Sequence, residues 1–216
     1  MININFDELK DPKFSSIYRA TNYFDFIFGE ILDDCNAFIC GGCWRAYFQP
    51  QETIDDIDIF TIDRAEASKI IRKLRKLNFK PYYINKNAIK GVITVKGKQY
   101  KVDVVKKFYE NEEMCLTDFD FSVAKFGYNL KTKSVFYSEN YFADLITKRI
   151  VIPDLGYGNP LGSLKRLQKY INKGYTACNG TLVTIAKELN RLDLENPDIN
   201  DIEYYPDGRN KIILFD

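Results

Sequence analysis

Two glycines and two nearby aspartates are the residues whose types and spacing point most directly to chemistry. Gly41 and Gly42 follow an apolar run, and thirteen residues separate them from Asp56 and Asp58 in the segment DIDIF. That alternation predicts a β-strand with both carboxylates on one face, where they repel unless a cation such as Mg²⁺ offsets them. A Gly-Gly turn lets backbone N–H groups approach a phosphate closely. Each motif alone is usually a tight turn or a solvated face, but together they favour a nucleotide and metal site.

A third carboxylate lies in the middle of a later strand-like segment. In residues 99–105, QYKVDVV, the apolar side chains share one face, whereas Asp103 points the other way together with Lys101. A carboxylate buried on a strand without a partner is unfavourable, so Asp103 requires one. We predict a metal ion shared with Asp56 and Asp58; an ordinary exposed strand position is the alternative.

Hydrophobic periodicity predicts the elements that must position these residues. Helical spacing or capping signals indicate helices over about 14–34, 44–48, 63–77, 160–173 and 181–192, the third opening with a capping box from Asp63 to Glu66. Strands are predicted at about 37–40, 55–60, 80–85, 89–95, 99–106 and 135–137, with a hairpin turn at Gly97. The polar segment 109–117 is predicted to be a loop. This pattern favours an α/β (α+β) fold.

A segment rich in proline and glycine divides the chain. It runs from Pro153 to Pro160 and precedes a helix that ends at Gly174. We therefore predict a catalytic head over residues 1–152 and a small helical region over 153–216. The second region ends in a strand-like tail, Ile212 to Phe215.

Composition limits the classes of function and the location. The 216 residues carry a formal net charge of +1 and no histidine, which excludes histidine catalysis and histidine-ligated zinc. Five cysteines, including an isolated Cys40-x-x-Cys43, are typical of free thiols in a reducing compartment. The N-terminus lacks signal-peptide features and no apolar run is long enough to span a bilayer, so we expect a cytoplasmic protein with no membrane partner.

The stretch from Ile39 to Phe60 resembles the polymerase-β-type nucleotidyltransferase superfamily, whose signature is Gly-Gly or Gly-Ser followed by Asp-x-Asp. More narrowly, Gly41, Gly42 and Arg45 match the Gly-Gly-x-x-Arg pattern of tRNA nucleotidyltransferases (CCA-adding enzymes) and bacterial poly(A) polymerases. The resemblance covers about residues 36–190 and implies a polymerase-β-like head with a mixed sheet flanked by helices, followed by a short helical neck.

The resemblance also implies a set of site residues. Asp56, Asp58 and Asp103 would be catalytic and would bind two Mg²⁺ ions, with Mn²⁺ as a possible substitute. The N–H groups of the two glycines would hold the β- and γ-phosphates, assisted by a charged contact from Arg45. Further nucleotide-binding residues implied by the family pattern are Asp120, Ser122, Lys165 and Arg166.

The resemblance breaks at several family positions. The sequence has Ala46, Phe119 and Ala124 where the family has Asp, Arg and Asn. The Glu, Asp and Arg that select the incoming base in CCA-adding enzymes fall on Gly158, Asn159 and Gly162. The resemblance therefore does not extend to the device that selects the base.

The function implied is metal-dependent transfer of a nucleoside monophosphate from an NTP, with ATP expected, to a hydroxyl acceptor. An RNA or tRNA 3′-end is the first acceptor that the resemblance suggests. A minimal nucleotidyltransferase that modifies a protein or small-molecule hydroxyl is an alternative, so a protein acceptor or partner chain stays open. A non-catalytic nucleotide-binding or inhibitory module is the third interpretation.

Overall fold

The chain folds around a mixed sheet of eight strands with helices on both faces. The computed structural model describes residues 1–153 and 160–191, together with the backbone of residues 202–204 and 210–212. The strands are β1 Ile2–Ile4, β2 Ala37–Cys40, β3 Ile57–Thr61, β4 Lys80–Ile84, β5 Ala88–Val95, β6 Lys98–Phe108, β7 Phe126–Asn129, β8 Val135–Tyr137, β9 Arg149–Ile150, β10 Thr176–Ala177, β11 Ile202–Tyr204 and β12 Asn210–Ile212. The helices are α1 Ser15–Leu32, α2 Gly42–Phe48, α3 Arg64–Leu74, α4 Glu112–Thr117, α5 Tyr141–Ile146, α6 Pro160–Asn172 and α7 Asn179–Asn190.

Strand order places the predicted site in the middle of the sheet. The order is β1-β8-β7-β2-β3-β6-β5-β4, and the pairing is antiparallel except between β3 and β6. The parallel pair forms because α3 and the β4–β5 hairpin return the chain to the side on which β3 began. Strand β3, which bears Asp58, and strand β6, which bears Asp103, therefore become neighbours, although more than forty residues separate the two aspartates.

Alternation along the central strands divides the core between the two faces of the sheet. Ile57 and Ile59 pack with the buried stripes of α1 and α3 in the larger hydrophobic cluster. Phe38 and Phe60 point to the opposite face, where Leu116 of α4 helps to cover them. Asp58 lies between Ile57 and Ile59 and so projects on the same face as Phe60, as the period of two predicts.

The structure confirms most of the predicted elements and corrects two local predictions. The segment 109–117 is not a loop throughout, because Asn111 caps α4 by accepting a hydrogen bond from the Met114 N–H at 2.9 Å. The capping box is half formed: Asp63 accepts from the Glu66 N–H, but the Glu66 carboxylate accepts from the backbone N–H of Asn36 at 3.0 Å. A local capping contact decides the first detail, and a long-range contact with Asn36, which local spacing does not show, decides the second.

The helices after residue 160 share the main hydrophobic cluster. Leu167, Tyr170 and Ile185 belong to the same buried cluster as Phe121 and Ile150. Strand β10 also pairs in parallel with β9. Most of the joint predicted between Pro153 and Pro160 lies outside the described residues, as do residues 213–215 of the predicted strand-like tail.

Candidate active site

The pairing of β3 with β6 brings the predicted carboxylates together. Asp58 lies directly opposite Asp103 in the parallel register, and Asp56 immediately precedes β3. One carboxylate oxygen from each of the three residues lies within 4.8 Å of the others. Asp103 is buried, whereas Asp56 and Asp58 are half-buried. The sequence-based grouping of these three side chains is therefore present in the fold.

The cluster carries more negative charge than its surroundings compensate. Burial, followed by the charges of Asp56 and Asp103, raises the pKa of Asp58 to about 8. Burial also raises the pKa of Asp103, but an ion pair with Lys90 at 2.7 Å opposes that shift. Lys90 stands directly opposite Asp103 on the neighbouring strand β5. Among the described residues, Lys90 alone forms an ion pair with one of the three carboxylates, so the site is suited to additional positive charge.

The donor set fits a hard divalent cation. Three carboxylates supply only oxygen ligands, which Mg²⁺ and Mn²⁺ accept and which soft metals do not prefer. The Asp103 Oδ1 atom is buried and has no hydrogen-bond partner among the described residues. A buried carboxylate oxygen without a donor is unfavourable, and a bound cation would satisfy it.

The Gly-Gly turn lies beside this cluster. Gly41 adopts φ +91°, and a Cβ atom there would come within 3.0 Å of the Phe119 ring and 3.7 Å of Asp58 Oδ2. The Gly41 N–H is donated to the Phe126 carbonyl at 3.1 Å. The Gly41 N–H therefore already has a backbone partner, and of the two glycines it is Gly42 that lines the cleft, so the contact of both N–H groups with a phosphate stays a prediction.

Arg45 is placed at the cleft but is already engaged. It is buried, forms an ion pair with Glu52, and lies 4.9 Å from the centre of the Tyr170 ring. Lys173 also approaches Glu52 at 3.5 Å. Arg45 therefore links α2 to α6, and its contact with a phosphate stays a prediction.

Asp120 and Ser122 form hydrogen bonds with other side chains of the same chain. Asp120 Oδ2 accepts hydrogen bonds from Ser163 Oγ at 2.6 Å and from Arg166 Nε at 2.8 Å, which fastens α6 to the head. Ser122 is buried and donates to Asp144 Oδ2 at 2.6 Å. Asp120 and Arg166 line the cleft, whereas Ser122 is not among its lining residues. The direct nucleotide contact predicted for Ser122 therefore has no support in this geometry.

A cleft of about 760 Å³ separates the carboxylates from helix α6. This volume lies in the range of small-molecule sites. The α6 side of the cleft carries the cationic residues Lys165, Arg166, Lys169 and Lys173. Lys169 and Lys173 were not predicted, although the i, i+4 spacing from Lys165 could have indicated one helical face. The sequence around Lys90 does not indicate its ion pair with Asp103, because that pair depends on the register between β5 and β6.

Solved structures with a similar fold include CCA-adding enzymes. The Thermotoga maritima enzyme complexed with tRNA matches with a TM-score of 0.59 and 16% identity over 88% of this chain and 46% of its own. A CCA-adding enzyme complexed with ATP gives a TM-score of 0.60 and 15% identity, covering 91% and 48%. The Bacillus stearothermophilus enzyme with CTP gives 0.55 and 16%, covering 77% and 43%. The fold expectation is confirmed, and the chain spans less than half the length of these neighbours.

Sequence comparison leads to a different family. The chain is 27% identical over 157 residues to Gabija anti-defense 2 of Bacillus phage SPbetaL7, which covers 72% of this chain and 38% of the phage protein. A profile of the Gabija anti-defense 2 family matches residues 13–148. Among the described residues, no helix is both long and apolar enough to cross a membrane. The chain has the fold of CCA-adding enzymes, but by sequence it belongs to the Gabija anti-defense 2 family.

Proposed function

We propose that this protein is a metal-dependent nucleotidyltransferase that transfers a nucleoside monophosphate from an NTP, with ATP expected, to a hydroxyl group. The observation that carries the proposal is the carboxylate cluster within 4.8 Å, facing the cationic side of α6 across the cleft. A triphosphate bound there would place its charge against the α6 cations. Its reacting phosphorus would then lie near the carboxylates.

Asp56, Asp58 and Asp103 would hold two Mg²⁺ ions, with Mn²⁺ as a substitute. Such a pair stabilises charge on the attacking and leaving oxygens of an in-line displacement. The acceptor oxygen forms a bond to the α-phosphorus, the bond to the β-phosphate oxygen breaks, and pyrophosphate leaves. We assign the acceptor proton to Asp103, since the Lys90 ion pair favours its ionised form. Lys165, Lys169 and Lys173 would orient the triphosphate.

An RNA or tRNA 3′-end is the acceptor that the fold-level likeness favours. It is compatible with a head over residues 1–152 and a neck-like region over 153–216, and with a cytoplasm that supplies the NTP. The positions that select the base in CCA-adding enzymes include Gly158 and Asn159, which lie outside the described residues. Base preference therefore has to be measured.

A second function is favoured by the anti-defense family and by the engagement of Arg45 with Glu52. In this alternative, the chain transfers the nucleotide to another protein, or it binds a partner chain without catalysis. Pairing Arg45 internally withdraws one of the cations on which nucleotide binding would otherwise rely. The carboxylate cluster argues against the non-catalytic form, because a binding module has no need of it.

Labelled transfer separates these possibilities. Pure protein is incubated with Mg²⁺ or Mn²⁺, each α-labelled NTP, and total tRNA or host protein extract, beside Asp56→Ala/Asp58→Ala. Asp33→Ala is the matched control, because Asp33 is an exposed carboxylate at the end of α1 that does not line the cleft. Label on RNA from wild type and the control alone supports the proposal, and label on protein supports the second function. No label, with no carboxylate-dependent metal binding, refutes catalysis.

A further inference from the structure

The chain concentrates positive charge on one three-stranded part of the sheet. Residues 78–108, which form β4, β5 and β6, contain eight lysines and a single acidic residue, Asp103. The whole chain has a net charge of only +1, so the remaining residues are acidic on balance. The one acidic residue in this basic unit is the third carboxylate of the candidate active site.

Strand register places part of this charge on the carboxylate face. Asp103 of β6 stands opposite Lys90 of β5, which stands opposite Tyr83 of β4. Directly opposed residues in neighbouring strands project on the same face, so these three form one row across the sheet. A second row, made of Lys101, Val92 and Lys80, lies beside it.

An irregularity in β4 adds a second tyrosine to the first row. Pro81 pairs with Gly91 and Tyr83 pairs with Lys90, so Tyr82 is an extra residue in β4. Burial, followed by the charge of Asp103, raises the pKa of Tyr82. Tyr82 and Tyr83 remain 58% and 43% exposed. We name Lys80, Tyr82, Tyr83, Lys90 and Lys101 the basic-aromatic platform.

We propose that the basic-aromatic platform binds the acceptor, and that this acceptor is a single-stranded nucleic acid end. Exposed aromatic rings interleaved with lysines bind single strands by stacking on bases and neutralising phosphates. Two strand spacings separate the Tyr83 position from Asp103, or about 10 Å. That separation would allow a base to stack on the tyrosines while its sugar hydroxyl reaches the carboxylates.

The edge of the platform is poorly suited to a protein strand. Strand β4 is the last strand of the sheet, and an edge strand can in principle pair with another chain. Pro81 and the extra residue Tyr82 interrupt its hydrogen-bonding pattern, which blunts such pairing. The side chains on the face, rather than the strand edge, are therefore the binding feature. This inference rests on the proposed function for its role as an acceptor site.

The test measures the affinity of the full chain for a fluorescent single-stranded RNA oligonucleotide by anisotropy across a salt series. Tyr82→Ala/Tyr83→Ala should weaken binding about tenfold or more, whereas Tyr82→Phe/Tyr83→Phe, which keeps both rings, should stay within about twofold. Lys80→Glu/Lys101→Glu should flatten the salt slope by roughly 0.7 for each phosphate that the variant no longer neutralises. Urea unfolding of each variant verifies that it is folded.

The matched charge control is Lys96→Glu/Lys98→Glu. These lysines belong to the same basic unit but lie over the rings of Phe26 and Tyr100, away from the platform. The control should bind the oligonucleotide nearly as tightly as wild type. An equal loss of affinity in the control, or tight binding by the Tyr82→Ala/Tyr83→Ala variant, overturns the assignment of the platform as the binding surface.

Two further outcomes separate this inference from the proposed function. Wild type that binds Mg²⁺-ATP but no oligonucleotide, and that labels protein, overturns the nucleic acid acceptor and leaves nucleotidyl transfer intact. Wild type that binds the oligonucleotide through the platform but neither binds Mg²⁺-ATP nor transfers label refutes the proposed function. It would also overturn the acceptor role of the platform, which would then be a nucleic acid surface alone.

Discussion

Asp58 makes the stability of the metal-free protein depend on pH in a predictable direction. Its pKa is raised from 3.8 to about 8, so between these values the folded state holds a proton that the unfolded state has lost. The free energy of unfolding must therefore fall as pH rises through that window. Because the chain has no histidine, few other side chains titrate there. Asp58→Asn, which cannot ionise, should remove this dependence.

The magnitude follows from the size of the shift and from the exposure of the side chain. If the whole shift counted, it would correspond to roughly 6 kcal/mol at about 1.4 kcal/mol per pH unit. Asp58 is only half-buried, so residual hydration reduces the effect, and we expect about 2 kcal/mol between pH 5 and pH 8. The stability of Asp58→Asn relative to wild type should therefore increase by this amount from pH 5 to pH 8.

Urea unfolding under reducing conditions, followed by Trp44 fluorescence without divalent metal, measures this difference. Asp33→Asn, an exposed carboxylate at the end of α1, is the control and should follow the wild-type profile. Adding Mg²⁺ at pH 8 should stabilise wild type by about 3 kcal/mol at a hundredfold excess over its Kd, and Asp58→Asn much less. Parallel pH profiles for wild type and Asp58→Asn would refute the reasoning.

Three other substitutions test the parts that hold the site together. Asp120→Asn weakens the hydrogen bonds to Arg166 and α6, and should lower the unfolding free energy by about 2 kcal/mol and weaken ATP binding in calorimetry. Gly41→Ala adds a clash at 3.0 Å to a positive φ, so it should lose more stability and more ATP affinity than Gly97→Ala, whose Cβ meets no described atom within 4 Å. Trp44→Phe removes a buried hydrogen bond of 2.8 Å to a β2 carbonyl and should lower the thermal midpoint, corresponding to about 2 kcal/mol.

Sequence reasoning reached Asp58 and Asp103 because both lie on strands with a clear period of two, and it reached Asp56 because this residue immediately precedes β3. That period fixes the face of Asp58 relative to Ile57 and Ile59, and of Asp103 relative to its apolar neighbours. The pairing of β3 with β6 was not readable from either strand alone. The superfamily resemblance grouped Asp103 with Asp56 and Asp58, and the structure then showed the strand pairing that brings them together.

The cationic partners were harder to predict because they depend on long-range packing. Arg45 fits a family pattern, but its pairing with Glu52 follows from how α2 meets the loop before β3. Ser122 fits a pattern too, yet its hydroxyl is fixed by Asp144, twenty-two residues away. Lys90 acquires its role only when the β5–β6 register places it against Asp103. Side-chain partners set by register and packing are not encoded in local spacing.

The energetics of the cluster argue that it exists to bind something. Oxygen atoms of three carboxylates lie within 4.8 Å of one another, and one carboxylate has a buried oxygen that no described residue satisfies. This arrangement destabilises a sheet that apolar side chains could fill at these positions. Lys90 compensates only one of them, and it lies between that carboxylate and two exposed tyrosines. Local conflict of this kind is expected at functional sites, where a ligand supplies the missing interactions. A protein that acted only as a rigid binding partner would gain nothing from this arrangement, whereas one that binds metal and nucleotide would require it.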